Sequence, residues 1–279
     1  MGTRCDICIE EDCRKKGREP GSCNCDACPI LDKCTKVLRP TIRITAKCTQ
    51  KCRHCCFSCS PSRSEMMTIE TAGRIRLFLD ANHIGIITLM GGEFFCNPSW
   101  REIFDILVPG MKYVRLVTNG DWATDVSVPD FLKKFKNMKV SISDDRWHTN
   151  EHVESAVRLC GEYGINCNTA SESETTEDSV VPVGRGELVG FGFYSMFGTY
   201  CSNPEHVYSF MIDEEGNISK CMFGMWVYTH VDEHADGSFA PVFKETGQIF
   251  MTTFISNCAS CARAYLREKR RQKQDGQHG

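Results

Sequence analysis

The chain has 279 residues, of which 41% are apolar and 25% charged, a globular composition that excludes a mostly disordered protein. A formal charge of -3 gives no electrostatic reason to expect nucleic acid or anionic lipid as a partner. No run approaches the roughly 18 consecutive apolar residues of a membrane helix. Met-Gly-Thr-Arg-Cys-Asp at the start lacks the apolar stretch of a secretory signal, so a cytoplasmic location is expected.

Nineteen cysteines dominate the sequence. An odd number cannot pair completely, and a reducing compartment turns cysteine clusters into metal or iron–sulfur ligands. Seven lie between Cys5 and Cys34. Residues 1–38 contain few large apolar side chains and are expected to fold only around a metal or against a neighbouring surface. Cys5-x2-Cys8 and Cys25-x2-Cys28, sixteen residues apart, fit a zinc-ribbon spacing. Cys23-x-Cys25-x2-Cys28-Pro29 reads equally as an iron–sulfur loop, so zinc and a further cluster both stand.

From residue 39 to about 190 the chain alternates strand and helix patterns. Short β-branched runs predict strands at Thr41–Ala46, Ile84–Met90, Tyr113–Thr118, Lys139–Ser143, Ile165–Thr169 and Val180–Val183. Helical spacing predicts helices through Ile69, Ala72, Ile75 and Leu79, and through Trp100, Ile103, Phe104 and Leu107. Two more pass through Val128, Phe131, Leu132 and Phe135, and through Val153, Ala156, Val157 and Cys160. Ser99 and Glu102 form a capping-box pattern, and Gly164 marks a helix end. The alternation argues for an α/β fold with parallel strands and crossover helices, closing as an open, partial barrel. Only Ala170–Ser179 separates the last two strands, marginal for a parallel crossover.

Cys48-Thr-Gln-Lys-Cys52-Arg-His-Cys55 follows the first strand. Three thiolates so spaced hold three corners of a [4Fe–4S] cube and leave the fourth iron open. The other polar or glycine-rich segments also close strands: Gly91-Gly92-Glu93, Thr118-Asn119-Gly120, Ser141-Ile142-Ser143-Asp144 and Pro182-Val183-Gly184-Arg185. Strand C-termini are where barrel-type sheets place active sites. In this order, the segments resemble the radical SAM superfamily across roughly residues 41–190.

The resemblance implies a partial (β/α)6 TIM-type barrel and an oxygen-sensitive [4Fe–4S] cluster on Cys48, Cys52 and Cys55. It implies S-adenosylmethionine on the open iron, cleaved by one electron to a 5′-deoxyadenosyl radical that abstracts a substrate hydrogen. The electron would come from a flavodoxin- or ferredoxin-type donor. By the same resemblance Gly91, Gly92 and Glu93 face the methionyl amino group, and His54 and Arg185 lie near the adenine. Asn119 and Ser143 match positions near the ribose and methionyl parts; capping of strand-end turns is the alternative for both. Cys52–Pro61 is similar to the cluster motif of radical SAM peptide-modifying enzymes, including peptide epimerases, which share an aromatic–His pair like Trp147-His148. A peptide or protein substrate is expected, with a nucleoside, nucleotide or other small metabolite as the alternative.

Beyond residue 190, His206–Ile212 and Ile218–Met222 bracket Asp213-Glu214-Glu215-Gly216-Asn217, a hairpin signal. Cys201, Cys221, Cys258 and Cys261 frame it, four soft ligands suited to zinc or an iron–sulfur cluster. The arrangement resembles a twitch or reduced SPASM domain over 191–265, which implies an auxiliary [4Fe–4S] cluster. The peptide epimerases carry a hydrogen-donating cysteine directly after the hairpin cysteine, where this chain has Met222. The basic tail, 266–279, is expected to be a fraying helix end.

Overall fold

The computed structural model describes residues 37–170, Arg185, 207–219 and 227–239. The chain divides into two units, Met1–Val37 and Leu38–Gly279, and the fold is that of the second. The expected strand Val180–Val183, Met222 and the tail lie outside the described residues, as do the cysteines at 5, 8, 25 and 28 and at 201, 221, 258 and 261.

Five strands run in parallel with a helix in each crossover. They are β1 (Val37–Arg43), β2 (Ile86–Met90), β3 (Tyr113–Thr118), β4 (Met138–Ser143) and β5 (Cys167–Ala170). The helices between them are α1 (Ile69–Ala81), α2 (Trp100–Leu107), α3 (Ser127–Leu132) and α4 (Val153–Glu162). A hairpin of β6 (Val207–Ile212) and β7 (Asn217–Ser219), followed by β8 (Val227–His230), adds antiparallel strands. The sheet order is β5-β4-β3-β2-β1-β6-β7-β8, so the hairpin extends the same sheet past β1. No helix among the described residues is long and apolar enough to cross a membrane.

The elements form for local reasons. Thr68 caps α1 by accepting from the Thr71 amide at 3.1 Å. Ala72, Ile75, Phe78 and Leu79 are fully buried, whereas Ile69 stays 48% exposed. The expected stripe is therefore wrong at Ile69, which opens the helix before its face meets the sheet. Val157 of α4 is also exposed, and Leu159 takes its place in the core. The expected Ser99–Glu102 capping box does not form, because the Ser99 side chain makes no cap bond. Asn97 does that work: its carbonyl-type Oδ1 accepts from the Ser99 amide at 2.9 Å, and its Nδ2 donates to Ile44 and Met67 carbonyls. Gly164 ends α4 with φ +64°, as its sequence position suggests.

The helices bury an aromatic seam against the sheet. Trp100 meets Phe131 edge-on at 5.0 Å and Phe104 meets Phe135 at 4.7 Å, contacts worth about 0.5–1.5 kcal/mol each beyond their buried area. Half-buried Arg43 and buried Glu214, 2.7 Å apart, tie the end of β1 to the hairpin turn.

Candidate active site

Beyond β1 the chain leaves the sheet as a loop that folds back on itself. Isolated bridges pair Thr45 with Met66 and Lys47 with Ser60, and the Cys48 amide donates to the Ser60 carbonyl at 3.1 Å. The loop is then stitched to the end of β2, since Gly92 donates to the Thr45 carbonyl at 2.7 Å and Glu93 to that of Lys47 at 2.9 Å. Such an approach needs a bare backbone at Gly92, where a Cβ would lie 2.8 Å from the Cβ atoms of both Cys48 and Cys59.

One cavity opens at this edge, walled by Cys48, Cys52, Cys55, Gly91 and Gly92. His54, Asn119, Ser143 and Arg185 close it from other segments. The sequence-expected residues of the core thus converge, except that Glu93 sits behind the wall, 2% exposed. Its carboxylate accepts from the Thr118 hydroxyl and the Asn119 amide, both at 2.8 Å.

The donor set fits an iron–sulfur cluster: three thiols on one cavity wall, soft ligands on an open loop. Burial pushes the Cys48 thiol up to about 12 and the Cys52 thiol up to about 11. Cys55 moves the other way, to about 6, chiefly because the Cys59 thiol donates to it. Thiols that are neutral when bare must give up protons to bind iron, so loading is coupled to pH.

A second group stands at the end of β4. Asp145 accepts from the Trp147 amide and from His148 Nδ1, each at 2.8 Å. Burial opposes ionisation of Asp145, but the His148 contacts outweigh it and hold the carboxyl below its usual range. The His54 ring lies 5.7 Å from Trp147 and 5.1 Å from His148. Burial, then the neighbouring His148, lowers His54 to about 4, so it is neutral. Its Nδ1 and Trp147 Nε1 are buried without a partner among the described residues. The donor atoms of His54, Asp145 and His148 lie within 4.8 Å of one another, and the His148–Asp145 hydrogen bond accounts for one of those three separations.

Three participants escaped the sequence reading. Gln50, 7% exposed, donates from Nε2 to Asp121 at 3.2 Å and accepts the Thr149 amide at 3.2 Å. It thereby joins the cysteine loop to β3 and β4. Asp121 also binds Thr49 and Asn119, and Cys59 binds Cys55. A glutamine or aspartate in a turn carries no spacing signal. Asn119 spends its side chain on Thr49 and Asp121 and accepts the Asp121 amide, which is the turn-capping alternative. The Ser143 hydroxyl has no partner among the described residues and faces the cavity.

Glu93 gives a pH prediction. Burial raises its carboxyl to about 7, against the donors that pull it down. The native state therefore keeps a proton that the unfolded chain releases from about pH 4.5 upward. Stability from this group is greatest at low pH, falls as pH rises through the window from about 4.5 to 7, and levels beyond it, by up to about 3 kcal/mol. Glu93→Gln removes the titration, so the melting temperature of wild type should drop relative to the variant across that window. Parallel profiles would show that Glu93 does not titrate there.

The thiol-lined cavity stands at the C-terminal ends of parallel strands, where barrel-type sheets place active sites. Residues 42–171 match the Radical SAM superfamily. A comparison with curated proteins found no match. Among solved structures the fold is similar to BtrN in complex with AdoMet and 2-DOIA. The TM-score is 0.57 at 14% identity, over 77% of this chain and 87% of that one. It is also similar to a histidine-tagged anSMEcpe with bound AdoMet, with a TM-score of 0.50 at 14% identity over 75% and 80% of the two chains. SuiB of Streptococcus suis bound to precursor peptide SuiA aligns with a TM-score of 0.49 at 13% identity, over 78% and 69%.

Proposed function

We propose that this enzyme cleaves S-adenosylmethionine reductively at a [4Fe–4S] cluster on Cys48, Cys52 and Cys55 and modifies a peptide or protein. The observation that carries the reading is the convergence of those three thiols with Gly91 and Gly92 on one cavity. When bound, the cluster supplies the electron that breaks the C5′–S bond of the sulfonium. Arg185 and the Gly92 contact hold the loop that presents the thiols. Gly91 leaves backbone exposed to the methionyl group, His54 and Trp147 offer neutral ring surface and unspent nitrogens for the adenine, and Ser143 offers a hydroxyl.

A peptide substrate is supported by the motif Cys52–Pro61. The test is anaerobic turnover with dithionite, S-adenosylmethionine and short candidate peptides. The expected result is a mass change in the peptide coupled to 5′-deoxyadenosine. Uncoupled 5′-deoxyadenosine with unaltered peptide would favour a small metabolite instead.

The remaining cysteines extend the proposal. Cys201, Cys221, Cys258 and Cys261 would hold an auxiliary [4Fe–4S] cluster, and Cys5, Cys8, Cys25 and Cys28 zinc or a third cluster. A flavodoxin- or ferredoxin-type donor would reduce the first. Reconstituted protein should then contain at least about eight iron per chain, and Cys221→Ala about four fewer. The same elemental analysis reads zinc. Four iron or less in wild type would remove the auxiliary site from the proposal.

A further inference from the structure

Arg185 is separated from the cysteine loop by more than a hundred residues of chain yet binds it at three points. Its amide donates to the Cys55 carbonyl at 3.0 Å, its Nε to the Cys52 carbonyl at 2.9 Å, and its Nη2 to the Cys59 carbonyl. These carbonyls belong to two expected cluster ligands and to the thiol that donates to Cys55. A guanidinium is the side chain for such a task, because its planar fork satisfies two acceptors at once and its charge is permanent.

Arg185 lines the cavity with the thiols, so its charge stands beside them. Of the other arginines near the loop, Arg43 pairs with Glu214 at 2.7 Å and Arg63 pairs with Glu65. No carboxylate among the described residues pairs with Arg185. Among the described residues it is thus a cation without a paired carboxylate beside the ligands.

A [4Fe–4S] cube with three thiolates is anionic, and accepting an electron adds a further negative charge. Reduction potentials of such clusters follow net charge and surrounding hydrogen bonds. We infer that Arg185 is a positioning residue with a redox role: it clamps the cysteine loop through the Cys52, Cys55 and Cys59 carbonyls and, by its charge, eases reduction of the cluster. This rests on the proposal that Cys48, Cys52 and Cys55 hold the cluster.

The test is a redox titration of the full chain, followed by electron paramagnetic resonance without S-adenosylmethionine. The relevant signal is the one that Cys48→Ala lacks. Wild type, Arg185→Lys and Arg185→Gln are compared after equal iron loading. At the wild-type midpoint, Arg185→Gln should show an approximately tenfold lower ratio of reduced to oxidised cluster, about 59 mV for one electron. Arg185→Lys keeps the charge without the fork and should stay within about threefold of wild type. Coincident titrations for wild type and Arg185→Gln would overturn the redox role, as would Arg185→Lys falling as far as Arg185→Gln. Iron lost from both variants would make Arg185 a structural brace alone and overturn it too. Iron lost from Arg185→Gln but kept at wild-type potential in Arg185→Lys would support the charge. A wild-type chain with no redox-active cluster would overturn both this inference and the functional proposal beneath it.

Discussion

Cys48→Ala should eliminate formation of 5′-deoxyadenosine from S-adenosylmethionine, a fall of at least about a thousandfold, or about 4 kcal/mol of activation free energy. Cys48 is 7% exposed and lies against Cys59 in a small satellite of the core. Among the described residues its sulfur accepts only the Gln50 amide, at 3.4 Å. The loss to the apo fold is therefore limited to about one weak hydrogen bond and a small void, on the order of 1 kcal/mol. The cluster loses one of its three ligands and with it a defined open iron. Cys52→Ala and Cys55→Ala should behave alike, whereas Cys160→Ala should retain activity, because Cys160 is buried in α4 within the main core. Chromatography of the nucleoside after anaerobic incubation with dithionite decides the matter. Wild-type rates from a folded Cys48→Ala protein would remove the radical SAM assignment of this site.

The parts legible in the sequence are those set by local periodicity. β3 and α2 occupy the expected residues, because strict alternation and an i, i+3, i+4, i+7 stripe leave little freedom. β1 lies several residues before its expected place, and the reason is found at both ends. Pro40 reads as a boundary, yet the ladder to β2 uses only Thr41, Ile42 and Arg43, so the missing amide costs nothing there. Ile44 and Thr45, both β-branched, look like strand and still bond Met90 and Gly92 at and beyond the end of β2, but Thr45 also bridges Met66 as the cysteine loop folds back. At the site, the motif cysteines and glycines are legible because each needs a particular residue type. The contacts of Arg185, Gln50 and Asp121 are not, since they depend on which distant turns the sheet order brings together. The same holds for the hairpin, whose existence is signalled by Asp213–Asn217 but whose place beside β1 is not.

Gly92→Ala should unfold the cysteine loop, while the same substitution at Gly73 should stabilise the protein. At Gly92 the added methyl would press on the Lys47 carbonyl oxygen and on the Cβ atoms of Cys48 and Cys59. None of these is the far end of a flexible side chain. Nor can the backbone retreat, because Gly92 and Glu93 donate to the Thr45 and Lys47 carbonyls on either side of the contact. Overpacking of this kind costs about 1–3 kcal/mol where neighbours can give, and more where they are backbone. The strain falls on the loop that carries the thiols, so iron retained after reconstitution should drop together with the melting temperature. Gly73 lies within α1 and has nothing within 4 Å of an added Cβ. There alanine only removes the conformational cost of glycine in a helix, a gain of about 0.5–1 kcal/mol. Opposite shifts in melting temperature, with iron lost in one variant and kept in the other, would show that Gly92 serves the close approach of loop and strand. Full iron content and an unchanged melting temperature in Gly92→Ala would mean that the loop does not rest on β2 as the structure places it.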